Sequence, residues 1–127
     1  MYELSIRTRF SAAHHLRDYN GPCAAQHGHN WDVEVFVRGP ALDGSGMLVD
    51  FKEMKTSVND VLGELDHRNL NDVAAFGDRN PTSENIARFI FDRLSVSLGG
   101  RAFAVSRVCV RETPDSMASY EASLPPA

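Results

Sequence analysis

The chain has 127 residues, 43% of them hydrophobic and 24% charged, which is the size and balance of one globular domain and excludes a disordered or fibrous chain. Its formal charge is −4, with no basic block and no basic stripe interleaved with aromatics, so nucleic acid is not an expected partner. No apolar run approaches membrane-spanning length, and Glu3, Arg7 and Arg9 stand where a secretory leader needs an apolar stretch; a soluble cytoplasmic protein, with no membrane partner, is expected.

The first segment alternates. Tyr2, Leu4, Ile6, Thr8, Phe10 and Ala12 share one face and Glu3, Ser5, Arg7, Arg9 and Ser11 the other, which predicts a half-buried strand. The same parity puts His14 on the apolar side and His15 on the polar side. A turn cluster with Asn20-Gly21-Pro22 interrupts the chain. In a second strand Trp31, Val33, Val35 and Val37 share a face, and extending it backwards adds His27 and His29 to that face. After a turn-rich loop from Gly39 to Gly46, Asp50 is placed to cap a helix whose apolar stripe is Phe51, Met54, Val58, Val61, Leu62 and Leu65.

Residues 66–81 are polar and Asn-rich, and predict a long loop. Thr82 caps a second helix, with Glu84 suited to its first turn, Ile86, Phe89, Ile90 and Leu94 as its buried stripe, and Gly99-Gly100 as its stop. Residues 102–113 predict a strand with Ala104, Val108 and Val110 on one face and Glu112 in phase with them; residues 117–123 predict a short last strand with Ala118, Tyr120 and Ala122 in phase. Leu124-Pro125-Pro126-Ala127 predicts a loose tail. No repeat or linker divides residues 1–127, so a single domain is expected. The order β-β-α-α-β-β predicts an α+β domain with an antiparallel four-stranded sheet and two helices. Its two open edges favour pairing with other copies, hence an oligomer.

Chemistry concentrates in Cys23-Ala24-Ala25-Gln26-His27-Gly28-His29. An H-x-H pair on a strand aims two imidazoles at one point, and His14 on the neighbouring strand can supply a third; three such nitrogens suit Zn²⁺ with a fourth position left open. The alternative is a set of core histidines with backbone partners. Cys23, four residues before His27, could be a fourth ligand, a nucleophile, a general base or a small buried hydrophobe. Asp66-His67 is either an acid–imidazole pair able to shuttle protons or a favourable histidine at a helix end. Glu112, among valines, needs a cation or donors; a guanidine-like edge, as in guanine or pterin, offers two parallel N–H groups, and Arg111 or Arg101 offers an ion pair instead. Cys109 is given no role.

Taken together, these residues resemble the 6-pyruvoyl-tetrahydropterin synthase / 6-carboxy-tetrahydropterin synthase family. The resemblance runs in order through Phe10-Ser11-Ala12-Ala13-His14, the C-x-x-x-H-G-H of Cys23 to His29, Gly46-Met47-Leu48-Val49-Asp50-Phe51, Leu65-Asp66-His67-Arg68-Asn69-Leu70-Asn71, Pro81 to Asn85, and Val110-Arg111-Glu112-Thr113. One small departure is Trp31, where the family often has Tyr. The resemblance implies a tunnelling (T-) fold, in which trimers close an antiparallel barrel and two trimers stack into a homohexamer with active sites at subunit interfaces. It implies zinc held by His14, His27 and His29, with Cys23 as catalytic acid or base and Asp66 and His67 as its relay. Glu112 is the implied anchor of the pterin, with Thr82, Ser83 and Glu84 as lesser contacts. The implied substrate is 7,8-dihydroneopterin triphosphate. Its implied product is 6-carboxy-5,6,7,8-tetrahydropterin, made with loss of acetaldehyde and triphosphate, for queuosine (7-deazaguanine) synthesis. The alternatives are 6-pyruvoyl-tetrahydropterin from the same site, or a non-catalytic zinc- or pterin-binding module.

Overall fold

The computed structural model describes residues 1–123 and has the α+β architecture that the patterning predicts. The tail expected at residues 124–127 lies outside the described residues. In chain order the elements are β1 (Tyr2–His14), β2 (His27–Gly39), α1 (Phe51–Leu62), β3 (Arg68–Asn69), α2 (Ser83–Ser97), β4 (Ala104–Thr113) and β5 (Ser116–Glu121). Short 3₁₀ turns occupy Pro22–Ala24, Leu70–Asp72 and Ala74–Phe76.

β1 and β2 run antiparallel in unbroken register from Tyr2–Gly39 to His14–His27. The alternation in both strands then sets one face for the whole pair: Ile6, Phe10, Ala12 and His14 of β1 lie beside Trp31, Val33, Val35 and Val37 of β2, all buried. The sheet order is β3-β1-β2-β4-β5, antiparallel except for β3, which pairs parallel with Ala12 and Ala13. This fifth strand corrects the expected four-stranded antiparallel sheet. Two residues carry no readable period, and β3 exists only because the edge of β1 offers it partners.

Both helices cover the apolar face, α1 against β1 and α2 against β4 and β5. Asp50 caps α1 by accepting from the Lys52 amide and Thr82 caps α2 by accepting from that of Asn85, each satisfying a donor the first turn leaves free. Ile86, Ile90 and Leu94 are fully buried, and burying each such side chain contributes about 1.5–3 kcal/mol. Two placements differ from the sequence pattern. Phe51 is in phase with the α1 stripe but 57% exposed, because a helical side chain leans toward the N-terminus and at the first position it leans past the helix end. Ala104 is exposed and Val105 buried, since the β2–β4 register shifts between Phe36 and Val37 and one extra β4 residue inverts the alternation. The opposite sheet face carries no helix and is laced by polar cross-strand contacts, Ser5 Oγ donating to Glu34 at 2.9 Å and Arg9 meeting Asp32 at 3.4 Å.

Candidate metal centre and active site

The register that ends at His14–His27 brings the histidines together. His14, His27 and His29 project from the apolar side of two adjacent strands, as their parity requires, and β4 adds Glu112 from the other side of β2. One ligand atom from each of the four lies within 4.8 Å of every other. Trp31 is the floor: its ring meets those of His14 and His29 edge-on at 4.9 and 5.2 Å, and its indole N–H donates to the Ala12 carbonyl.

The imidazole tautomers follow from their partners. His14 Nδ1 lies 2.8 Å from the Pro81 carbonyl and His27 Nδ1 2.7 Å from the Ala25 carbonyl. A carbonyl only accepts, so each Nδ1 carries the proton and, in the neutral ring, Nε2 presents a lone pair. Those Nε2 atoms face one another at 3.0 Å, and Glu112 Oε1 lies 3.0 Å from His14 Nε2 and 3.3 Å from His29 Nε2. His29 Nε2 is the one buried side-chain polar atom among the described residues without a hydrogen-bond partner. The His14 and His27 lone pairs converge with no proton between them and repel unless a cation sits there, and three imidazoles, two of them with carbonyl-fixed tautomers, are the donor set of a metal centre. Burial holds the His29 imidazole below its ordinary value of 6.5, opposed by the Glu112 carboxylate and aided by His27 and His14, which favours the neutral, ligating form. The residues present therefore fit a metal ion. His14 and His27 do have backbone partners, as the core alternative supposed, but only at Nδ1.

Asp66 and His67 form a separate pair. Asp66 Oδ2 and His67 Nδ1 are 2.9 Å apart. The pair is seated on β1: the Ser11 amide donates to Asp66 Oδ1 at 2.9 Å and the His67 amide donates to the Ser11 carbonyl at 2.6 Å. First the Ser11 amide and then the His67 ring hold the Asp66 carboxyl below its ordinary 3.8. His67 has φ of 58°, a left-handed conformation uncommon outside glycine, and its side chain is 82% exposed. A concavity of about 500 Å³ is lined by one residue from each group, His29 and His67, with Asn30 and Arg68 beside them.

Cys23 sits in the turn before β2, half-buried, and does not enter the four-residue group. Its carbonyl accepts from the Leu16 amide at 2.8 Å. His15 is half-buried outside the group, as its parity predicts. Thr82 Oγ1 is occupied as the α2 cap, with Ser83 and Glu84 in the first turn. Cys109 is buried on the helix-free face, where burial pushes its thiol up. Sequence reading missed the carbonyls of Pro81 and Ala25, because a backbone group has no signature, and missed Glu112 as a neighbour of the histidines, because only strand pairing across β2 brings it there.

Residues 3–123 match the family described as 6-pyruvoyl tetrahydropterin synthase. The chain is 37% identical to 6-carboxy-5,6,7,8-tetrahydropterin synthase of Bacillus subtilis, covering 94% of this chain and 84% of that one. It is 34% identical to 6-pyruvoyl tetrahydrobiopterin synthase of Drosophila melanogaster, covering 96% and 80%. Its fold superposes on the structure of Caenorhabditis elegans 6-pyruvoyl tetrahydropterin synthase with a TM-score of 0.86 at 32% identity, covering 96% of both chains.

Proposed function

The chain belongs to the 6-pyruvoyl tetrahydropterin synthase family, and on that premise we propose that it is a cytoplasmic zinc-dependent lyase converting 7,8-dihydroneopterin triphosphate and water to 6-carboxy-5,6,7,8-tetrahydropterin, acetaldehyde and triphosphate, on the route to queuosine. The observation that carries this reading is the convergence of three imidazole nitrogens and one carboxylate oxygen within 4.8 Å of one another, the His14 and His27 Nε2 lone pairs facing each other at 3.0 Å.

Bound there, zinc would act as a Lewis acid on the hydroxyl oxygens of the substrate side chain. His14, His27 and His29 hold the ion, each Nδ1–H of the first two fixed by a backbone carbonyl so that the rings cannot turn away. Three protein ligands leave a position open for substrate, which is why Glu112 is assigned to the substrate and not to the ion. Its carboxylate accepts the paired N–H groups of the aminopyrimidine edge, with Thr82, Ser83 and Glu84 as lesser contacts. Cys23 moves protons at the side-chain carbons. His67 relays them, and Asp66 keeps that ring oriented and supports its charged form.

The 82% exposure of His67, together with the open sheet edges at β3 and β5, supports a homohexamer in which Asp66 and His67 complete a neighbouring subunit's site.

The test is to incubate the purified, zinc-loaded protein with 7,8-dihydroneopterin triphosphate and identify the product by mass. A 6-carboxy product with acetaldehyde is expected. A 6-pyruvoyl product would transfer the protein to the second reading, which the 34% identity to the Drosophila enzyme over nearly the whole chain favours. No product from a zinc-loaded sample would favour a non-catalytic binding module.

A further inference from the structure

Beyond the site residues, the edge of β1 that faces β3 has an unusual set of partners. Ser11 is bonded through both backbone groups by Asp66 and His67. Ala13 is paired with Asn69 of β3. Two residues on, where β3 has ended, the Asn71 side chain takes its place: the His15 amide donates to Asn71 Oδ1 at 2.9 Å and Asn71 Nδ2 donates to the His15 carbonyl at 3.1 Å. Two residues further the Asn80 side chain repeats the pattern on Arg17, accepting from its amide at 2.7 Å and donating to its carbonyl at 3.0 Å. A carboxamide has the donor and acceptor of a peptide group, so two asparagines here serve as a strand that the backbone does not supply.

The residue between the two clamps is Leu16. Its amide points to the other edge, as alternation requires, and donates to the Cys23 carbonyl at 2.8 Å. The Arg17 guanidinium adds longer bonds to the Asn71, Gly77 and Arg79 carbonyls, which tie the 71–80 loop to the same stretch. Asp18 follows at φ 56°, so the chain turns sharply away once the second clamp has been passed.

We propose that Asn71 and Asn80 are positioning residues for Cys23. They extend β1 to Arg17 by side-chain pairing, and the Leu16 amide held between them anchors the Cys23 backbone at a fixed distance from the histidines. The same edge thus spaces the Asp66–His67 pair at Ser11 and the thiol-bearing turn at Leu16 along one strand. The effect expected on turnover rests on the proposed role of Cys23, whereas the clamp itself does not.

The test uses the full-length, zinc-loaded protein with Asn71→Ala, Asn80→Ala and Asn80→Asp. Asn80→Asp keeps the acceptor for the Arg17 amide and loses the donor to its carbonyl. Hydrogen exchange at the Leu16 amide is expected to accelerate roughly tenfold or more in each Ala variant and less in Asn80→Asp. With 7,8-dihydroneopterin triphosphate as substrate, kcat is expected to fall by about 10²-fold, with zinc content retained and KM little changed. Leu16 exchange equal to wild type in folded Ala variants would overturn the proposal. So would a loss of zinc in Asn80→Ala, since the effect would then run through Pro81 and His14. If Asn80→Ala does not fold, the Asn80→Asp exchange rate decides, and an unchanged rate overturns the clamp. If Cys23→Ala retains full turnover, or wild type makes no product, it is the functional reading that fails, and the Leu16 exchange rate alone judges the clamp.

Discussion

Glu112 has two claims on it. One carboxylate oxygen lies 3.0 Å from His14 Nε2, close enough to share a metal ion, yet the residue is 27% exposed at the side chain and its chemistry suits the amidine-like edge of a pterin. Glu112→Gln separates these claims, because the amide keeps shape and loses charge. The expected outcome is unchanged zinc stoichiometry with KM raised about tenfold or more, the worth of a charge-assisted hydrogen bond. Zinc lost on dialysis of this variant, measured by metal analysis, would make Glu112 a ligand instead. The three histidines were legible from strand parity alone. Their carbonyl partners were not, because Pro81 is 67 residues from His14 and contributes only its backbone.

At the scale of elements, the junction between α1 and β3 is docked on β1 at Ser11 by the Asp66 carboxylate and the His67 amide. Asp66 Oδ1 accepts the Ser11 amide, and this bond, followed by the His67 ring, depresses the carboxyl below 3.8. A carboxyl depressed in the folded state adds stability that is present above its ordinary value and is lost as pH falls through the lower, folded value. Asp66→Asn removes that linkage while leaving an acceptor for Ser11. Thermal unfolding should therefore show wild type more stable by a constant margin above about pH 5, with the margin closing as the pH is taken below 3.8. A margin independent of pH would mean that the charge of Asp66 does not contribute to docking. β3 itself was invisible to periodicity, as was the register shift that exposes Ala104. Both are decided by what the partner strand offers and not by the residues' own preferences.

At the scale of the whole molecule, the proposed assembly brings the thiol turn of one copy to the exposed acid–imidazole pair of another. Cys23→Ala and His67→Ala are each expected to be inactive. After unfolding and refolding the two together, activity that neither has alone should return, because mixed interfaces then carry an intact thiol from one chain and an intact relay from the other. A mixture as inactive as its parts would place both groups in one chain's site. The sequence by itself determined the two helices, every strand but β3, the side of the sheet on which His14, His27 and His29 lie, and the likeness to the pterin synthase family, because alternation, capping and motif spacing are local. Only the tertiary structure decided that Glu112 joins the histidines, that the carbonyls of Pro81 and Ala25 set their tautomers, and that Asn71 and Asn80 complete the edge of β1. Each of those depends on backbone groups or side chains far apart in the chain, which become partners only when strand register and loop closure bring their hydrogen-bonding atoms within 3 Å or so of one another.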